Sequence, residues 1–422
     1  NGQCGGNGRI QAYAAEQRGR VKENGMENAA LWRKCAAIQG ELVEMRRALH
    51  RIPETGERLE KTSAYVISKL EQLGIPYVRS GRDSAIAAHI RGSRPGKRII
   101  LRADMDALPI KEETGASYAS EHDGFMHACG HDAHTSMLLG AAKVLQLNRA
   151  AFKGEAMLIF QTAEETAKGA KNVIANGWLD GADAAFGMHI GTIISNTAPA
   201  GTIFAVPGCC MASIDRFMIR VTGVGCHGST PEKGTDPINA AAHIITALQA
   251  INSREFNACA PIVVTIGSIH GGSQYNIIPD CVEMEGTIRS VDNGVRMAVA
   301  QRIEQIAAAQ AAVFGADAQC VIDWGAPPVI NDESMARLAA EAAKEITGEE
   351  RTVTHLAAPN MGGEDFAYYL EKLPGAYLFL SSANGAKNCA FAHHNSRFNV
   401  DEDVLHMGAA LYVNITERFL NN

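Results

Sequence analysis

The chain has 422 residues, of which 46% are hydrophobic and 20% charged, and its formal net charge is −7. This composition predicts two or three domains with a large core and excludes a mainly disordered chain. The acidic balance argues against a surface for nucleic acid or anionic membranes, and no apolar run reaches the roughly 20 residues needed to span a bilayer. The ten cysteines are scattered along the chain, as is typical of reduced thiols in a cytoplasmic protein.

The N-terminal part divides into a leader and a helical region. Residues 1–25 are polar and Gly-rich and lack the hydrophobic core of a signal peptide. Met26 is a candidate natural start, so we expect residues 1–25 to be a non-native or disordered leader. Residues 27–75 are predicted to be helical, because apolar residues from Leu42 to Leu73 recur at helical spacing, and Pro53 interrupts between two helices.

Four apolar runs then predict strands, and a helix at 136–147 lies between the first two. The runs are 97–101, 155–160, 184–188 and 376–380. The first three lead into acids or a histidine, and the ends of parallel strands are where α/β sheets bind ligands. The alternation predicts an α/β catalytic domain with a mostly parallel sheet and helices on both faces.

Residues 212–325 follow a different order of predicted elements. A strand, a helix, two strands, a helix and a strand succeed one another, which is the order of a ferredoxin-like α+β unit. Because α/β signals resume after this segment, we interpret it as an insertion. The catalytic domain would therefore consist of 26–211 and 326–422.

Residues 127–134 read His-Ala-Cys-Gly-His-Asp-Ala-His and hold the densest group of metal-binding side chains. Thiolate and imidazole together suit zinc or a similar ion. Cys129 and His131 are two positions apart, so on an extended segment they would point the same way. A buried cysteine among hydrogen-bonding histidines is the alternative, and the density of ligands favours metal binding.

The acids that follow the first two strands are candidates for catalysis. On an extended backbone, Glu164 and Glu165 would diverge, so that one binds metal and the other takes a proton from an activated water. Asp106 would support the site by orienting a ligand or base. A solvated helix start for the glutamates and a cap or turn for the aspartate are the alternatives.

Three further histidines are weak candidates when each is taken alone. His189 lies in an apolar strand, where a core histidine is common, and His393 and His394 would fit a loop pair. His227, flanked by glycines at 225 and 228, is either a substrate-facing donor or a turn histidine.

Two polar residues of the inserted segment stand beside apolar strands. Asn276 precedes Ile-Ile-Pro, and Arg289 lies in Gly-Thr-Ile-Arg-Ser. The planar guanidinium of Arg289 suits a carboxylate.

Seven motifs occur in order from about Arg46 to the C-terminus. They are Leu49-His-Arg-Ile-Pro-Glu54, Arg102-Ala-Asp-Met-Asp-Ala-Leu-Pro109, His127-Ala-Cys-Gly-His-Asp132, Phe160-Gln-Thr-Ala-Glu-Glu165, Phe186-Gly-Met-His189, Asn276-Ile-Ile-Pro279 and Met361-Gly-Gly-Glu-Asp-Phe366. Together they resemble the dinuclear-metal amidohydrolases and peptidases that include hippurate hydrolase, N-acyl-L-amino-acid amidohydrolase and the plant auxin-conjugate hydrolases.

The resemblance implies two divalent metal ions, with zinc or manganese expected and cobalt or nickel as alternatives. The implied ligands are Cys129, His131, Glu165, His189 and His394, with His393 as the alternate last ligand. Glu164 matches the general base and Asp106 the supporting acid. The implied substrate-facing residues are His227 from a partner subunit's lid, Asn276 and Arg289. The family also implies a homodimer formed through the lid.

These residues predict a metal-dependent amidohydrolase that cleaves the amide bond of N-acyl amino acids. Within this class, aminobenzoyl-glutamate hydrolysis and carboxypeptidase or dipeptidase activity on small peptides are the alternatives. A metal-binding dimer without activity is the alternative outside the class. The presence of Glu164 as a base favours the enzyme.

Overall fold

A computed structural model describes residues 30–257 and 259–422. The predicted leader lies outside the described residues. The α-helices are α1 Gln39–His50, α2 Glu60–Gln72, α3 His131–Leu147, α4 Gly169–Ala175, α5 Pro237–Ala250, α6 Asn293–Val313, α7 Glu333–Thr347, α8 Ala367–Leu370 and α9 Leu405–Asn421. Shorter helical turns are Leu31–Ile38, Arg149–Ala151, Glu164–Thr166, Pro231–Lys233, Ile251–Glu255, Glu349–Arg351, Gly385–Lys387 and Glu402–Val404. None of the described helices has the length and hydropathy that crossing a membrane requires.

The strands form one large sheet, one smaller sheet and two short ribbons. They are β1 Tyr77–Arg79, β2 Ile86–Arg91, β3 Arg98–Asp104, β4 Glu155–Gln161, β5 Ala184–Gly191, β6 Ile203–Phe204, β7 Gly208–Met211, β8 Asp215–Thr222, β9 Cys226–His227, β10 Ile262–Gly271, β11 Ile277–Ile278, β12 Cys281–Ser290, β13 Asp317–Asp323, β14 Val329–Asn331, β15 Thr352–Val353 and β16 Gly375–Ser381.

The large sheet has the order β1-β2-β4-β3-β5-β16-β6-β15, and its four central strands β4, β3, β5 and β16 are parallel. Successive residues of β3 enter different cores, because side chains alternate across a strand. Leu101 packs in a core with residues of α1, α3, α7 and α9, whereas Ile100 packs with residues of α4 and α8. The predicted α/β class with helices on both faces is confirmed.

The smaller sheet belongs to the inserted segment. It has the antiparallel order β10-β12-β8-β13, and α5 and α6 cover one of its faces. Alternate residues of β8 are buried, including Phe217 and Ile219, so this sheet has one packed and one open face. The ferredoxin-like order of elements is as predicted, and β7 pairs with β14 where the chain leaves and re-enters the catalytic part. The domain limits at 212 and 325 stay a prediction.

The helix expected over 136–147 is longer than predicted, since α3 begins at His131. Its first turn carries His131, Asp132 and His134, which are buried against polar partners rather than apolar ones. The spacing of apolar residues therefore could not reveal this turn. The early start is important because it places the metal-ligand motif at the helix N-terminus.

Candidate metal centre

The polar residues predicted from strand ends meet at one edge of the large sheet. Asp104 is the last residue of β3, Glu164 follows β4, and His189 lies near the carboxyl end of β5. Cys129 comes from the loop before α3, where Gly130 has a φ of +93°, a value that favours glycine. Three parallel strands and one helix therefore bring candidate ligands and neighbouring acids to one place.

Cys129, His131 and His189 form a first group of candidate ligands. Their ligand atoms lie within 4.8 Å of one another, and all three residues are buried. His131 Nδ1 donates to the carbonyl oxygen of Asp106 at 2.8 Å, and His189 Nδ1 donates to that of Ile190 at 2.9 Å. Because the ring protons are on Nδ1, both Nε2 lone pairs are free to bind a metal. His189 Nε2 lies 3.4 Å from the Cys129 sulfur.

Cys129, Glu165 and His394 form a second group, whose ligand atoms also lie within 4.8 Å of one another. Glu165 Oε1 and His394 Nε2 are 3.4 Å apart. The backbone of His394 has a φ of +64°, which is uncommon outside glycine and points to a constrained functional position. The thiol of Cys129 belongs to both candidate ligand groups.

The residues present fit divalent metal ions. His131 Nε2 is buried and has no hydrogen-bond partner among the described residues, a costly arrangement unless another group satisfies it. Burial and the neighbouring carboxylates of Glu165 and Glu164 raise the pKa of the Cys129 thiol. A bound cation would reverse this effect, because a coordinating thiol is deprotonated.

Asp106 fixes the turn that carries the two glutamates. Its carboxylate oxygens accept hydrogen bonds from the backbone N–H groups of Glu164 at 3.1 Å and Glu165 at 3.2 Å. Ala163 and Ala167 flank this turn and both have a φ of +54°. The extended backbone expected at 164–165 is wrong, because these residues form a short helical turn. Both carboxylates consequently lie near His131.

The two adjacent glutamates have different electrostatic environments. Burial and the like charges of Glu364 and Glu165 raise the pKa of Glu164 well above its usual range. Burial also raises the pKa of Glu165, but its hydrogen bond and charge interaction with His394 outweigh this effect and lower that pKa. Opposed shifts in a carboxyl pair are typical of a division between base and ligand.

A buried ionic network behind the site was not predicted from the sequence. The Arg102 guanidinium lies 2.6 Å from Asp104, 2.7 Å from Asp365 and 3.1 Å from Glu364, and all four residues are buried. Asp104 in turn accepts from His134 Nδ1 at 2.6 Å. The motifs at 102–109 and 361–366 contain the four charged residues, but neither motif alone indicates that its charges are buried against the other.

The network connects to the first ligand group through His134. Its Nε2 accepts a hydrogen bond from the backbone N–H of Ile190 at 2.8 Å, next to His189. Although burial raises it, the charge of Arg102 and the hydrogen bond from His134 hold the pKa of Asp104 well below its usual range. Asp104 therefore orients His134, which accepts a hydrogen bond from the strand that carries His189.

The centre opens into a cleft of about 670 Å³ between the catalytic part and the inserted unit. Ile193 and Lys171 line the catalytic side, and Ile214, Trp324 and Arg289 line the opposite side. Arg289 is half-buried, and no carboxylate of the residues that the structure describes lies within ion-pairing distance of it. A substrate anion is therefore a suitable partner for its guanidinium.

His227 and Asn276 do not line this cleft within one chain. His227 lies on the ribbon of β9 and β11, where it pairs with Ile277, and Asn276 directly precedes β11 and accepts a hydrogen bond at its carbonyl from the Gly228 N–H at 2.8 Å. Both residues are exposed. The prediction that His227 acts in the site of a partner subunit is not tested by a single chain.

A carboxylate pair beside two groups of candidate metal ligands, in a cleft between an α/β sheet and an inserted α+β unit, is typical of a metal-dependent hydrolase. Residues 100–418 match the model of peptidase family M20/M25/M40. The chain therefore belongs to this family and is an enzyme, which confirms the predicted resemblance and the predicted class of amide-hydrolysing enzymes.

Relatives and a solved structure agree with this assignment. The chain is 39% identical to the N-acetyl-L-cysteine deacetylase of Bacillus subtilis, over 92% of this chain and 90% of the relative. It is 38% identical to thermostable carboxypeptidase 1 of Saccharolobus solfataricus, over 91% of this chain and 96% of the relative. The crystal structure of the Bacillus subtilis YXEP protein, a dinuclear metal-binding peptidase from the M20 family, has a TM-score of 0.79 at 36% identity and covers 91% of this chain and 99% of that one.

Proposed function

We propose that this chain is an amidohydrolase that removes the acyl group from N-acyl amino acids with the help of two divalent metal ions. The observation that carries the proposal is the position of Cys129, which belongs to two ligand groups beside the raised-pKa carboxyl of Glu164. The similarity to a deacetylase of an N-acyl amino acid and to a dinuclear peptidase supports the same substrate class and metal number.

Five residues would hold the two ions, as the sequence predicted. They would be Cys129, His131, His189, Glu165 and His394, of which Cys129 belongs to both candidate ligand groups. When bound, a pair of divalent ions polarises the acyl carbonyl and lowers the pKa of a water molecule. We propose zinc or manganese, because a thiolate suits zinc and the carboxylate and imidazoles suit either ion, with cobalt or nickel as alternatives.

Glu164 would act as the general base and transfer the proton to the leaving nitrogen. In hydrolysis the water oxygen forms a bond to the acyl carbon, the C–N bond breaks, and one proton moves from water to the leaving nitrogen. The Glu164 carboxylate has only 11% of its side chain exposed and lies 4.0 Å from His131 Nε2, so it can take the proton and deliver it. Asp106 would hold the base in place through the two backbone N–H groups of its turn.

Substrate recognition would use the wall of the cleft and a second subunit. Arg289 would bind the free carboxylate of the amino-acid half, because its half-buried guanidinium faces the cleft. His227 and Asn276 would reach the cleft of the partner subunit through a homodimer of the 212–325 lid. His227 would then stabilise the oxyanion formed at the acyl carbonyl. In such a homodimer, the exposed β9–β11 ribbon of each lid would extend to the cleft of the other subunit.

The cellular setting we propose is the cytoplasm. The nine cysteines from Cys35 to Cys389 are all free thiols, which suits a reducing compartment. Cys209 and Cys210 are adjacent in β7 and remain unpaired with each other.

Carboxypeptidase activity is a second candidate, favoured by the similarity to the thermostable carboxypeptidase. A peptide C-terminus also presents a free carboxylate next to the scissile amide, and Arg289 would bind it in the same way. Aminobenzoyl-glutamate conjugates have the same arrangement of groups. The substrates differ only in what occupies the acyl side of the cleft.

Release of free amino acid from a panel of N-acyl amino acids, dipeptides and aminobenzoyl-glutamate tests the proposal. The assay is run on the full chain with chelator, and again after Zn²⁺ or Mn²⁺ is restored. We expect metal-dependent release that is fastest with N-acyl amino acids. Faster release from peptides would favour the carboxypeptidase, and no release from protein that holds two metal ions would contradict both.

A further inference from the structure

His393, which precedes the proposed ligand His394, has a defined place beside the metal centre. Its ring is packed against Phe398, with centroids 4.6 Å apart, and its centroid lies 4.9 Å from that of His189. The close approach depends on Gly191, because a Cβ there would lie 2.3 Å from His393 Nε2. The ring is therefore enclosed on three sides and is not a free loop side chain.

The hydrogen bonds of His393 fix which ring nitrogen carries the proton. The backbone N–H of Thr192 lies 3.0 Å from Nε2 and can only donate, so Nε2 must accept with its lone pair. The ring proton of the neutral imidazole is then on Nδ1. Nδ1 lies 3.6 Å from the Cys129 sulfur, within reach of a hydrogen bond to sulfur.

This arrangement excludes His393 as a metal ligand in the form shown. Both of its nitrogens are engaged, Nε2 by a backbone donor and Nδ1 by its own proton. His394 has its Nε2 beside Glu165 and belongs to a ligand group, so the two neighbouring histidines have different tasks.

We propose that His393 is a positioning residue that donates its Nδ1 proton to the Cys129 sulfur and holds this ligand, which belongs to both candidate groups, in place. The inference rests on the proposed metal-dependent function. A hydrogen bond to a ligand orients it and adjusts how strongly it donates charge to the metal, and losing such a bond typically weakens metal binding about 10- to 100-fold.

Two substitutions test the hydrogen-bond donor of His393 separately from its hydrogen-bond acceptor. His393→Asn keeps an amide N–H close to the position of Nδ1 and loses the acceptor for Thr192. His393→Gln keeps an acceptor close to the position of Nε2 and loses the donor to sulfur. His89→Gln is the matched control, because His89 lies on β2 and bonds to Glu155.

The readouts are the affinity for Zn²⁺, measured by competition with a chelator, and the absorption of the Co²⁺-loaded protein. We expect His393→Gln to bind Zn²⁺ about 10- to 100-fold more weakly. Its thiolate-to-cobalt charge-transfer band should shift to longer wavelength, because a sulfur that loses a hydrogen bond gives up charge more easily. His393→Asn and His89→Gln should both stay near the wild type.

Two outcomes would overturn the proposal. One is a His393→Gln protein with wild-type affinity and an unshifted band. The other is equal loss in the Asn and Gln variants, which would assign His393 to support of the Thr192 loop. Wild-type protein that binds no metal would instead refute the proposed function, so the two failures are distinguishable.

A measurement on the unaltered chain covers the case in which the variants fold poorly. Nitrogen-15 NMR of histidine-labelled, Zn²⁺-loaded protein reports the tautomer of each imidazole. We expect the Nδ1–H tautomer for His393, whereas the Nε2–H tautomer or metal bonding at either of its nitrogens would refute the assigned role.

Discussion

Replacing Glu164 with glutamine is expected to abolish turnover while metal binding is retained. The change removes the proton acceptor but keeps the size of the side chain. None of the five proposed metal ligands is altered. The hydrogen bonds to the Asp106 carboxylate are also preserved, because their donors are the backbone N–H groups of residues 164 and 165. The loss should therefore appear in kcat.

The size of the loss follows from the role assigned to the side chain. A positioned general base contributes about 10²- to 10⁴-fold to the rate, which corresponds to about 3–5 kcal/mol at about 1.4 kcal/mol per tenfold. The free energy of unfolding should not decrease, because the carboxylate oxygens of Glu164, Glu364 and Asp365 lie within 4.8 Å of one another. The amide cannot ionise next to these two carboxyls, so the substitution adds no charge repulsion to the metal-free protein.

The test measures kcat, KM, bound metal and melting temperature for the wild type and for Glu164→Gln. Glu350→Gln is the control, because Glu350 is an exposed carboxylate away from the centre. A metal-loaded Glu164→Gln enzyme that keeps more than about a tenth of the wild-type kcat would refute the assignment of Glu164 as the base. Loss of metal together with activity would assign Glu164 as a ligand instead.

Three further predictions concern stability, the lid and substrate binding. Burial raises the pKa of Glu112, but its hydrogen bond with His50 and the charge of that ring lower it to about 2. Its stabilising contribution is therefore present above the ordinary glutamate pKa of about 4.5 and lost as the pH falls towards 2, so Glu112→Gln should lower the melting temperature at pH 7 and not at pH 2.5. The Tyr368 hydroxyl donates to the Gly325 carbonyl at 2.9 Å, which joins α8 to the segment after β13. Tyr368→Phe should raise KM about 2- to 10-fold with little change in kcat. An unchanged KM would argue that this contact does not support the lid. Arg289→Ala should raise KM about 10- to 100-fold for N-acyl amino acids but not for the matching N-acyl amino acid amides, and an equal effect on both in steady-state kinetics would contradict its pairing with the carboxylate.

The framework of the site could be predicted because apolar strands lead directly into polar residues. The apolar runs of β3, β4 and β5 are sufficient to predict that Asp104, Glu164 and His189 share one sheet edge. The alternation of apolar residues in β8 similarly predicted a strand with one packed face, which its burial pattern confirms. Periodicity carries this information because side chains alternate regularly on a strand.

The finer geometry could not be predicted, because it depends on contacts between distant segments. Ala163 and Ala167 adopt a φ of +54°. A glycine at these positions would have suggested a left-handed backbone conformation, whereas an alanine does not. Arg102 is buried because residues about 260 positions away, including Asp365, supply opposite charges. The task of His393 depends on one backbone N–H, that of Thr192, and no side-chain pattern indicates it.

The central claim is that hydrolysis depends on two divalent ions that residues around Cys129 would hold. The most direct test removes metal from the full chain with a chelator and adds Zn²⁺ or Mn²⁺ stepwise, while bound metal and amino-acid release from an N-acyl amino acid are both measured. We expect no release from the metal-free protein and full activity only as loading approaches two ions per chain. Full activity without bound metal, or activity that is complete at one ion, would contradict the account.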